Sequence, residues 1–291
     1  MIPAGFEYHR PTDISSAISI LQTHGDDARV LAGGHSLIPM MKLRMTDLAH
    51  LVDLQAIDVL RGISIDAENV SIGAMVSQHE LITDAGLAAA IPIIAEASLQ
   101  IADPQVRYVG TLGGNVANGD PGNDMPGLMQ CLGASYELVG PNGTRQVAAR
   151  DFYEAAYFTA REDEEILTRI HIPIPTPGTG YAYVKQKRKI GDYATAASAV
   201  LITVAGGTCT AASIAMTNLA DTPIWAEAAA AALVGSSLND AACSAAVTAA
   251  IAAIDPVADN RGPVAFKKHV AAVILRRAIN CAIDSAVARA T

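Results

Sequence analysis

The sequence predicts an α+β protein made of two or three compact units. Its 291 residues, of which 51% are hydrophobic and 17% charged, are enough for units with real buried cores. Strand-like and helical segments alternate over the first two thirds of the chain. The last third predicts a small antiparallel sheet followed by alanine-rich helices. The chain therefore belongs among folded proteins and not among disordered ones.

The first unit, residues 1–55, is predicted to form a compact strand–helix–strand arrangement. Asp13 caps a helix that ends at Gly25. The apolar face of that helix is formed by Ile14, Ala17, Ile18 and Leu21. The predicted elements that follow are a strand at 29–31, a short helix at 36–44 and a strand at 50–54. This is not a Rossmann unit, because the motif G-x-G-x-x-G is absent.

The second unit, residues 56–177, is predicted to combine strands with short helices. Ser77 and Glu80 form a capping box, which marks the start of a helix. The predicted elements are strands at 69–74, 134–139 and 166–174, a helix at 91–101 and a turn at Asn142-Gly143. The proline-rich break at 173–178 is the best candidate for a domain boundary.

The third unit, residues 178–291, is predicted to be a sheet covered by helices. It begins with a strand at 181–187 and continues with a hairpin whose turn is Gly206-Gly207. The predicted helices lie around 225–235, 241–253 and 264–288. Alanine and leucine dominate these helices, so we interpret them as scaffold that packs on the sheet.

Charge and cysteine content exclude several functional classes. The net charge of −9 argues against nucleic-acid binding, which needs a basic surface. Cys131, Cys209, Cys243 and Cys281 lack C-x-x-C spacing, so we expect no iron–sulfur or zinc site built by this chain alone. Neither a signal-peptide pattern nor an apolar run of about 18 residues is present, and we expect a cytoplasmic protein without a transmembrane segment.

Two glycine segments carry the strongest functional signal. They are Ala32-Gly33-Gly34-His35-Ser36 and Thr111-Leu112-Gly113-Gly114-Asn115, and each follows an apolar stretch. Gly-Gly leaves no Cβ to hold a ligand away and permits positive φ, so backbone N–H groups can converge on phosphate oxygens. Either segment alone is more typical of an ordinary surface turn. Together they predict a two-part clamp for the diphosphate of one large nucleotide.

A long ordered loop is predicted between residues 101 and 126, where glycine, proline, asparagine and aspartate are dense. Asp120 and Asp124 are an alternative metal pair, but no third hard ligand lies at close spacing, and accepting hydrogen bonds from ligand hydroxyls is the favoured role. Arg107 either neutralises phosphate charge or meets solvent. His35 is assigned a positioning role, with general-base action as the less favoured alternative.

Four motifs together resemble the FAD-binding medium subunits of the molybdenum hydroxylases. They are A-G-G-H-S at 32–36, I-A-D-P-Q-V-R-Y-V-G-T-L-G-G-N at 101–115, N-G-D-P-G-N-D-M-P at 118–126 and K-R-K-I-G-D-Y-A-T-A at 187–196. The similarity runs essentially from end to end. It implies a vanillyl-alcohol-oxidase/xanthine-dehydrogenase-type FAD-binding fold, with two α+β subdomains enclosing FAD and a C-terminal domain of a small antiparallel sheet and helices.

The same resemblance implies where FAD is held. The diphosphate would lie at Ala32, Gly33, Gly34, His35, Ser36, Thr111, Leu112, Gly113, Gly114 and Asn115. Asp124 matches the family aspartate that accepts from ribityl or ribose hydroxyls. Ile101 and Ala102 would line the cofactor, and Lys185 would lie near the ring system. Tyr193 would cover one isoalloxazine face, which an aromatic ring can do by offset stacking.

The resemblance further implies an electron relay and no catalytic residue toward substrate in this chain. In the family, a large molybdenum subunit with molybdopterin oxidises the substrate. Electrons then cross two-iron two-sulfur clusters in a small iron–sulfur subunit to reach FAD and leave for a quinone. The expected assembly is a dimer of such heterotrimers, in the cytoplasm or at the inner face of the membrane.

Three alternatives stay open from the sequence. Flavin subunits of related nicotine, quinoline, isoquinoline or purine hydroxylases carry similar motifs, because none of them touches the substrate. A self-sufficient flavin oxidase or reductase would need a proton-transfer residue, and no convincing acid–base set is visible beyond isolated histidines. A non-catalytic assembly protein would share the alanine-rich helices but would have no reason to carry both glycine segments with Asp124 and Tyr193.

Overall fold

A small parallel sheet organises the amino-terminal part of the computed structural model, which describes residues 2–290. Its elements are β1 (Glu7–His9), α1 (Ile14–His24), β2 (Ala28–Leu31), α2 (Leu37–Lys42) and β3 (His50–Asp53). The strand order is β1-β3-β2, and β3 pairs in parallel with both neighbours. The Asp13 carboxylate accepts from the Ser16 N–H, and α1 buries its predicted apolar face. The prediction for this helix is confirmed.

An antiparallel five-stranded sheet forms the middle part. The elements are β4 (Ile63–Ile65), β5 (Asn69–Gly73), α3 (Gln78–Thr83), α4 (Ala85–Ala90), α5 (Pro92–Gln100), α6 (Pro104–Val109), α7 (Leu112–Ala117), α8 (Asp124–Leu132), β6 (Ser135–Gly140), β7 (Gly143–Ala148), β8 (Tyr153–Ala155), β9 (Phe158–Thr159) and β10 (Ile166–Pro173). The sheet order is β4-β5-β10-β6-β7, and β8 pairs with β9 apart from it. The capping box of Ser77 and Glu80 is present, as predicted.

The prediction of a long loop between residues 101 and 126 is wrong. The structure forms α6, α7 and the start of α8 there. Asp103 caps α6 with Pro104 in its first turn, and Thr111 caps α7 by accepting from the Gly114 N–H. Polar residues and proline at these positions are signals for the start of a helix. The same residue types are also common in loops, so their density alone predicts a loop. The second glycine segment is therefore the first turn of a helix.

A four-stranded antiparallel sheet with three helices forms the carboxy-terminal part. The elements are β11 (Thr179–Gln186), β12 (Ala196–Ala205), β13 (Thr208–Thr217), β14 (Ile224–Trp225), α9 (Glu227–Leu233), α10 (Asp240–Ala253) and α11 (Val264–Ala290), and the strands follow in sequence order. Gly206 and Gly207 both have positive φ and form the predicted hairpin turn. Helix α11 lies so close to the sheet that a Cβ on Gly180 would come within 2.0 Å of the Ala282 carbonyl oxygen.

The protein has three main hydrophobic clusters, two of which join different parts of the chain. The largest joins the middle sheet and its helices to Tyr183, Ala197 and Ala199 of the last sheet. A second fills the space between that sheet and α9–α11, and a third lies at the parallel sheet and includes Met75 from the middle part. No helix within residues 2–290 is both long enough and apolar enough to cross a membrane.

A candidate cofactor-binding cavity

A cavity of about 920 Å³ lies where the two glycine segments meet. Its size is at the upper end of the usual range for cofactor pockets, which favours a large ligand. The segments touch: a Cβ on Gly33 would come within 2.5 Å of the Val109 carbonyl oxygen, and one on Gly114 would lie 3.3 Å from the Ala32 Cβ. The two segments are therefore neighbours in the structure, as a two-part clamp requires.

The cavity is lined by fourteen of the fifteen residues that the sequence singled out. They are Ala32, Gly33, Gly34, His35, Ser36, Ile101, Ala102, Thr111, Gly113, Gly114, Asn115, Asp124, Lys185 and Tyr193. Leu112 is the exception, and its placement corrects the prediction. Its side chain is fully buried in the largest hydrophobic cluster, because an apolar residue in the first turn of α7 packs into the core beneath the cavity wall.

The first glycine segment offers backbone donors. It follows β2, and Gly34 has φ +73, the left-handed conformation that glycine adopts without strain. Within residues 2–290, the amide N–H groups of Gly33, Gly34, His35 and Ser36 donate to no acceptor. Consecutive free N–H groups in a glycine turn form a concavity suited to an anion. This half of the predicted clamp has the required donors.

The second glycine segment differs from the prediction, because its backbone donors are already used. The Leu112 N–H donates to the Val76 carbonyl at 2.8 Å and the Gly113 N–H to the Ala74 carbonyl at 2.9 Å. Its glycines serve close packing instead: a Cβ on Gly113 would lie 2.5 Å from the Ala74 Cβ. The segment contributes side-chain donors, the Thr111 hydroxyl and the Asn115 amide, on a helix fixed against the sheet.

A buried ion pair forms another part of the cavity wall. The Lys185 ammonium lies 2.7 Å from Asp124 Oδ2, and the two side chains are 1% and 5% exposed. The Tyr183 hydroxyl donates to the other oxygen, Oδ1, at 2.5 Å. Burial, with the negative charge of Asp124, holds the pKa of Tyr183 well above its usual value. Each carboxylate oxygen thus has one protein donor and a remaining lone pair for a ligand.

Asp120 does not join Asp124 in a metal site. Its Oδ1 accepts from the Gly122 N–H and its Oδ2 from the Tyr157 hydroxyl. Asp124 pairs with Lys185, and among residues 2–290 neither aspartate belongs to a group of three side chains close enough to share a metal ion. The alternative of an Asp120–Asp124 metal pair has no support in this geometry.

The corner at Ile101 and Ala102 carries backbone strain at the cavity. Ala102 has φ +43, a conformation rare for residues with a Cβ and common at functional sites. The Arg107 guanidinium donates to the Ile101 carbonyl at 2.8 Å. Arg107 therefore braces this corner, which neither role considered from the sequence had anticipated.

Tyr193 is the half-exposed aromatic ring of the cavity. It lies in the segment between β11 and β12, its side chain packs on Gly122, and the Arg261 guanidinium is 5.8 Å from the ring centre. Burial, then the nearby Asp120 carboxylate, raises the pKa of Tyr193 to about 12. The ring is neutral at physiological pH and has 41% of its surface accessible.

Gln78 is a cavity residue that sequence reasoning missed. It is 1% exposed, and its Oε1 accepts from the Ser98 hydroxyl at 3.1 Å. Its Nε2 is buried without a hydrogen-bond partner, although Gln78 lines the cavity. A buried amide without a partner costs free energy unless a ligand or water satisfies it. A glutamine in the first turn of a helix gives no signal of this role in the sequence.

These features fit FAD. Four free amides match a diphosphate, and the unpartnered Gln78 amide awaits an acceptor. Residues 4–175 match the profile of the FAD binding domain in molybdopterin dehydrogenase, and residues 181–282 match the CO dehydrogenase flavoprotein C-terminal domain. The fold and cavity define a flavoprotein subunit, and the chain belongs to the family of FAD-binding subunits of molybdopterin dehydrogenases.

Relatives with known roles narrow this class. The carbon monoxide dehydrogenase medium chain of Afipia carboxidovorans is 58% identical over 279 residues, covering 96% of this chain and 97% of the relative. The crystal structure of a cyanide-inactivated Cu,Mo CO dehydrogenase matches with a TM-score of 0.96 at 58% identity, over 98% of this chain and 100% of that one. Quinoline 2-oxidoreductase from Pseudomonas putida 86 matches with a TM-score of 0.93 at 33% identity, over 100% of both chains. The family resemblance and the predicted fold class are confirmed.

Proposed function

We propose that this chain is the FAD-binding electron-transfer subunit of an aerobic carbon monoxide dehydrogenase. The complex would convert carbon monoxide and water to carbon dioxide, with release of two electrons and two protons. The choice of substrate is carried by the 58% identity to a carbon monoxide dehydrogenase medium chain, against 33% to the quinoline enzyme. The cavity itself is selective for the cofactor and carries no information on the substrate.

The diphosphate is held chiefly by the first glycine segment in this proposal. Four N–H groups, from Gly33 to Ser36, are free to donate, and a charge-assisted hydrogen bond is worth about 1.5–3 kcal/mol. Thr111 and Asn115 add side-chain donors from the rigid start of α7. A negatively charged protein can thus hold a diphosphate by directed backbone dipoles, without a basic patch.

Further residues orient and shield the remainder of the cofactor. Bound FAD would supply the redox chemistry, accepting single electrons from a cluster and releasing one or two to an acceptor. Asp124 accepts from ribityl or ribose hydroxyls, while Lys185 holds its carboxylate in place. Neutral Tyr193 covers a ring face and excludes water, and Gln78 donates its free amide.

Three of the four thiols of this chain suit a relay subunit that leaves cluster and substrate chemistry to partners. Cys131, Cys209 and Cys243 are buried in separate places of the hydrophobic clusters. Burial raises the pKa of all three and brings that of Cys131 to about 12, so these thiols are poor metal ligands and nucleophiles. His35 lies against Gly110 in the cavity wall, which supports a positioning role.

We therefore include partner subunits in the proposal. A large subunit would carry molybdopterin and a small one two-iron two-sulfur clusters, in a dimer of heterotrimers. The complex would pass electrons to a quinone, in the cytoplasm or at the inner face of the membrane. Within the chain, residues 1–55 and 56–177 would be the two FAD-binding subdomains and 178–291 the domain that completes the cavity, to which Lys185 and Tyr193 contribute.

Reconstitution tests the proposal in two stages. The chain purified with its partner subunits should contain one FAD per copy and reduce a quinone analogue when carbon monoxide is added. A complex that retains FAD but oxidises quinoline, nicotine or a purine in place of carbon monoxide would contradict the substrate and leave the cofactor site intact. Carbon monoxide oxidation by the isolated chain would contradict the relay role, and a chain that never retains FAD would contradict the cavity assignment.

A further inference from the structure

Three histidines from separate elements meet outside the cofactor cavity. His9 ends β1, His24 ends α1 and His50 begins β3. His9 Nε2 lies 3.1 Å from His50 Nδ1, and the rings of His24 and His50 are stacked with centroids 3.6 Å apart. One ligand atom from each ring lies within 4.8 Å of the other two. The fold thus brings together positions that are far apart in the sequence.

We propose that His9, His24 and His50 bind one divalent transition-metal ion of the zinc class. Two nitrogens that share a tetrahedral zinc ion at about 2.0–2.1 Å are themselves about 3.3 Å apart, close to the observed 3.1 Å. No two of these ligand atoms are more than 4.8 Å apart, so none of the pairs has to close by more than about 1.5 Å to reach that spacing. Imidazole nitrogens are preferred ligands of zinc, copper and nickel.

A carboxylate lies beside two of the three rings. Glu7 Oε2 lies 3.5 Å from His50 Nδ1 and 3.9 Å from His9 Nε2. With it, the cluster offers three imidazole nitrogens and one carboxylate oxygen, a four-ligand combination that zinc accepts. The Glu7 side chain is 73% exposed, whereas those of His9 and His50 are 24% and 16% exposed, so an ion can enter from solvent.

The ion would act as a structural clamp. It would tie the end of β1 and the end of α1 to the start of β3, which is the central strand of the parallel sheet. His50 pairs in register with Ala28, the first residue of β2, and β2 leads directly into the first glycine segment. The clamp would thus stabilise the sheet from which that segment emerges. The proposal does not depend on FAD or on the substrate.

Metal titration of the untagged full chain, stripped of metal with a chelator, tests this site. We expect one Co²⁺ per chain with the visible absorption of a tetrahedral site, its displacement by Zn²⁺, and a rise in Tm with Zn²⁺. His24→Gln should weaken binding at least about tenfold and remove the Tm rise, since even the loss of supporting groups around a metal costs 10–100-fold. Glu7→Gln should weaken it less.

His269→Gln is the matched control, because His269 is an exposed histidine outside the cluster. It should bind Co²⁺ as the wild type does. The His24 side chain is partly accessible and that of Glu7 is largely accessible, so we expect both variants to fold. They test the site even where His50→Gln does not fold. No Co²⁺ or Zn²⁺ binding by the wild type, or binding that His24→Gln leaves unchanged, would overturn the proposal and leave a hydrogen-bonded histidine stack.

Discussion

Among the contacts of the cavity wall, the buried ion pair of Asp124 and Lys185 is the one whose loss should lower the free energy of unfolding most. Lys185→Met removes an ammonium group 2.7 Å from a carboxylate that is 5% exposed. The Tyr183 hydroxyl then faces an uncompensated buried charge. Removing one partner of such a pair costs about 3–5 kcal/mol. We expect the free energy of unfolding of the full chain, measured in urea by circular dichroism, to fall by that amount.

A second variant separates charge from packing. Asp124→Asn combined with Lys185→Met removes both charges and keeps an oxygen that accepts from Tyr183, so it should recover at least about 2 kcal/mol relative to Lys185→Met alone. The exposed Lys189 offers a matched control, since Lys189→Met should change stability by no more than about 0.5 kcal/mol. A loss below about 1 kcal/mol in Lys185→Met, or no recovery in the double variant, would refute the reasoning.

The remaining predictions concern the cofactor, the last sheet and acid stability. Gly114→Val should abolish FAD retention in the assembled complex, because its Cβ would lie 2.8 Å from the hydroxyl oxygen of Thr111. Gly5→Val is the control, since Gly5 lies in open space, and it should leave the FAD content unchanged. Gly180→Ala should destabilise the chain by about 3 kcal/mol or more in urea unfolding, because its Cβ would meet the α11 backbone at 2.0 Å; an unchanged midpoint would contradict the close packing. Burial raises the pKa of Glu165, but hydrogen bonds from Arg145 and a backbone N–H outweigh it, so the folded pKa lies below the usual 4.5. The stability that this carboxylate contributes is present above pH 4.5 and is lost as the pH falls through the folded pKa. Glu165→Gln should therefore make the free energy of unfolding less dependent on pH below 4.5. An unchanged pH dependence in this variant would contradict the role of the Arg145 pair.

Local signals made much of the fold predictable from the sequence. Asp13 and Gly25 bound α1 because caps act on the backbone a few residues away. Gly206-Gly207 forms its hairpin because both residues adopt positive φ. At Thr111 the local composition predicts a loop, whereas the residue caps a helix.

Long-range packing explains what the sequence did not reveal. Gly113 is required by Ala74, which lies 39 positions earlier, and so its backbone donor serves the protein and not the ligand. The Gln78 amide nitrogen is identified as unpaired only from the structure, in which the amide oxygen accepts from the Ser98 hydroxyl. Tyr183 reaches Asp124 only in the packed structure. Such pairings depend on tertiary contacts, which no spacing in the sequence encodes.

We propose that this chain holds a relay flavin for a carbon monoxide-oxidising complex. The most direct measurement follows the visible flavin absorbance after anaerobic addition of carbon monoxide, first to the chain assembled with its partner subunits and then to the FAD-loaded chain alone. The flavin band should bleach in the complex and stay unchanged in the isolated chain. Bleaching in the isolated chain, or none in a complex that contains FAD and all partner cofactors, would contradict the account.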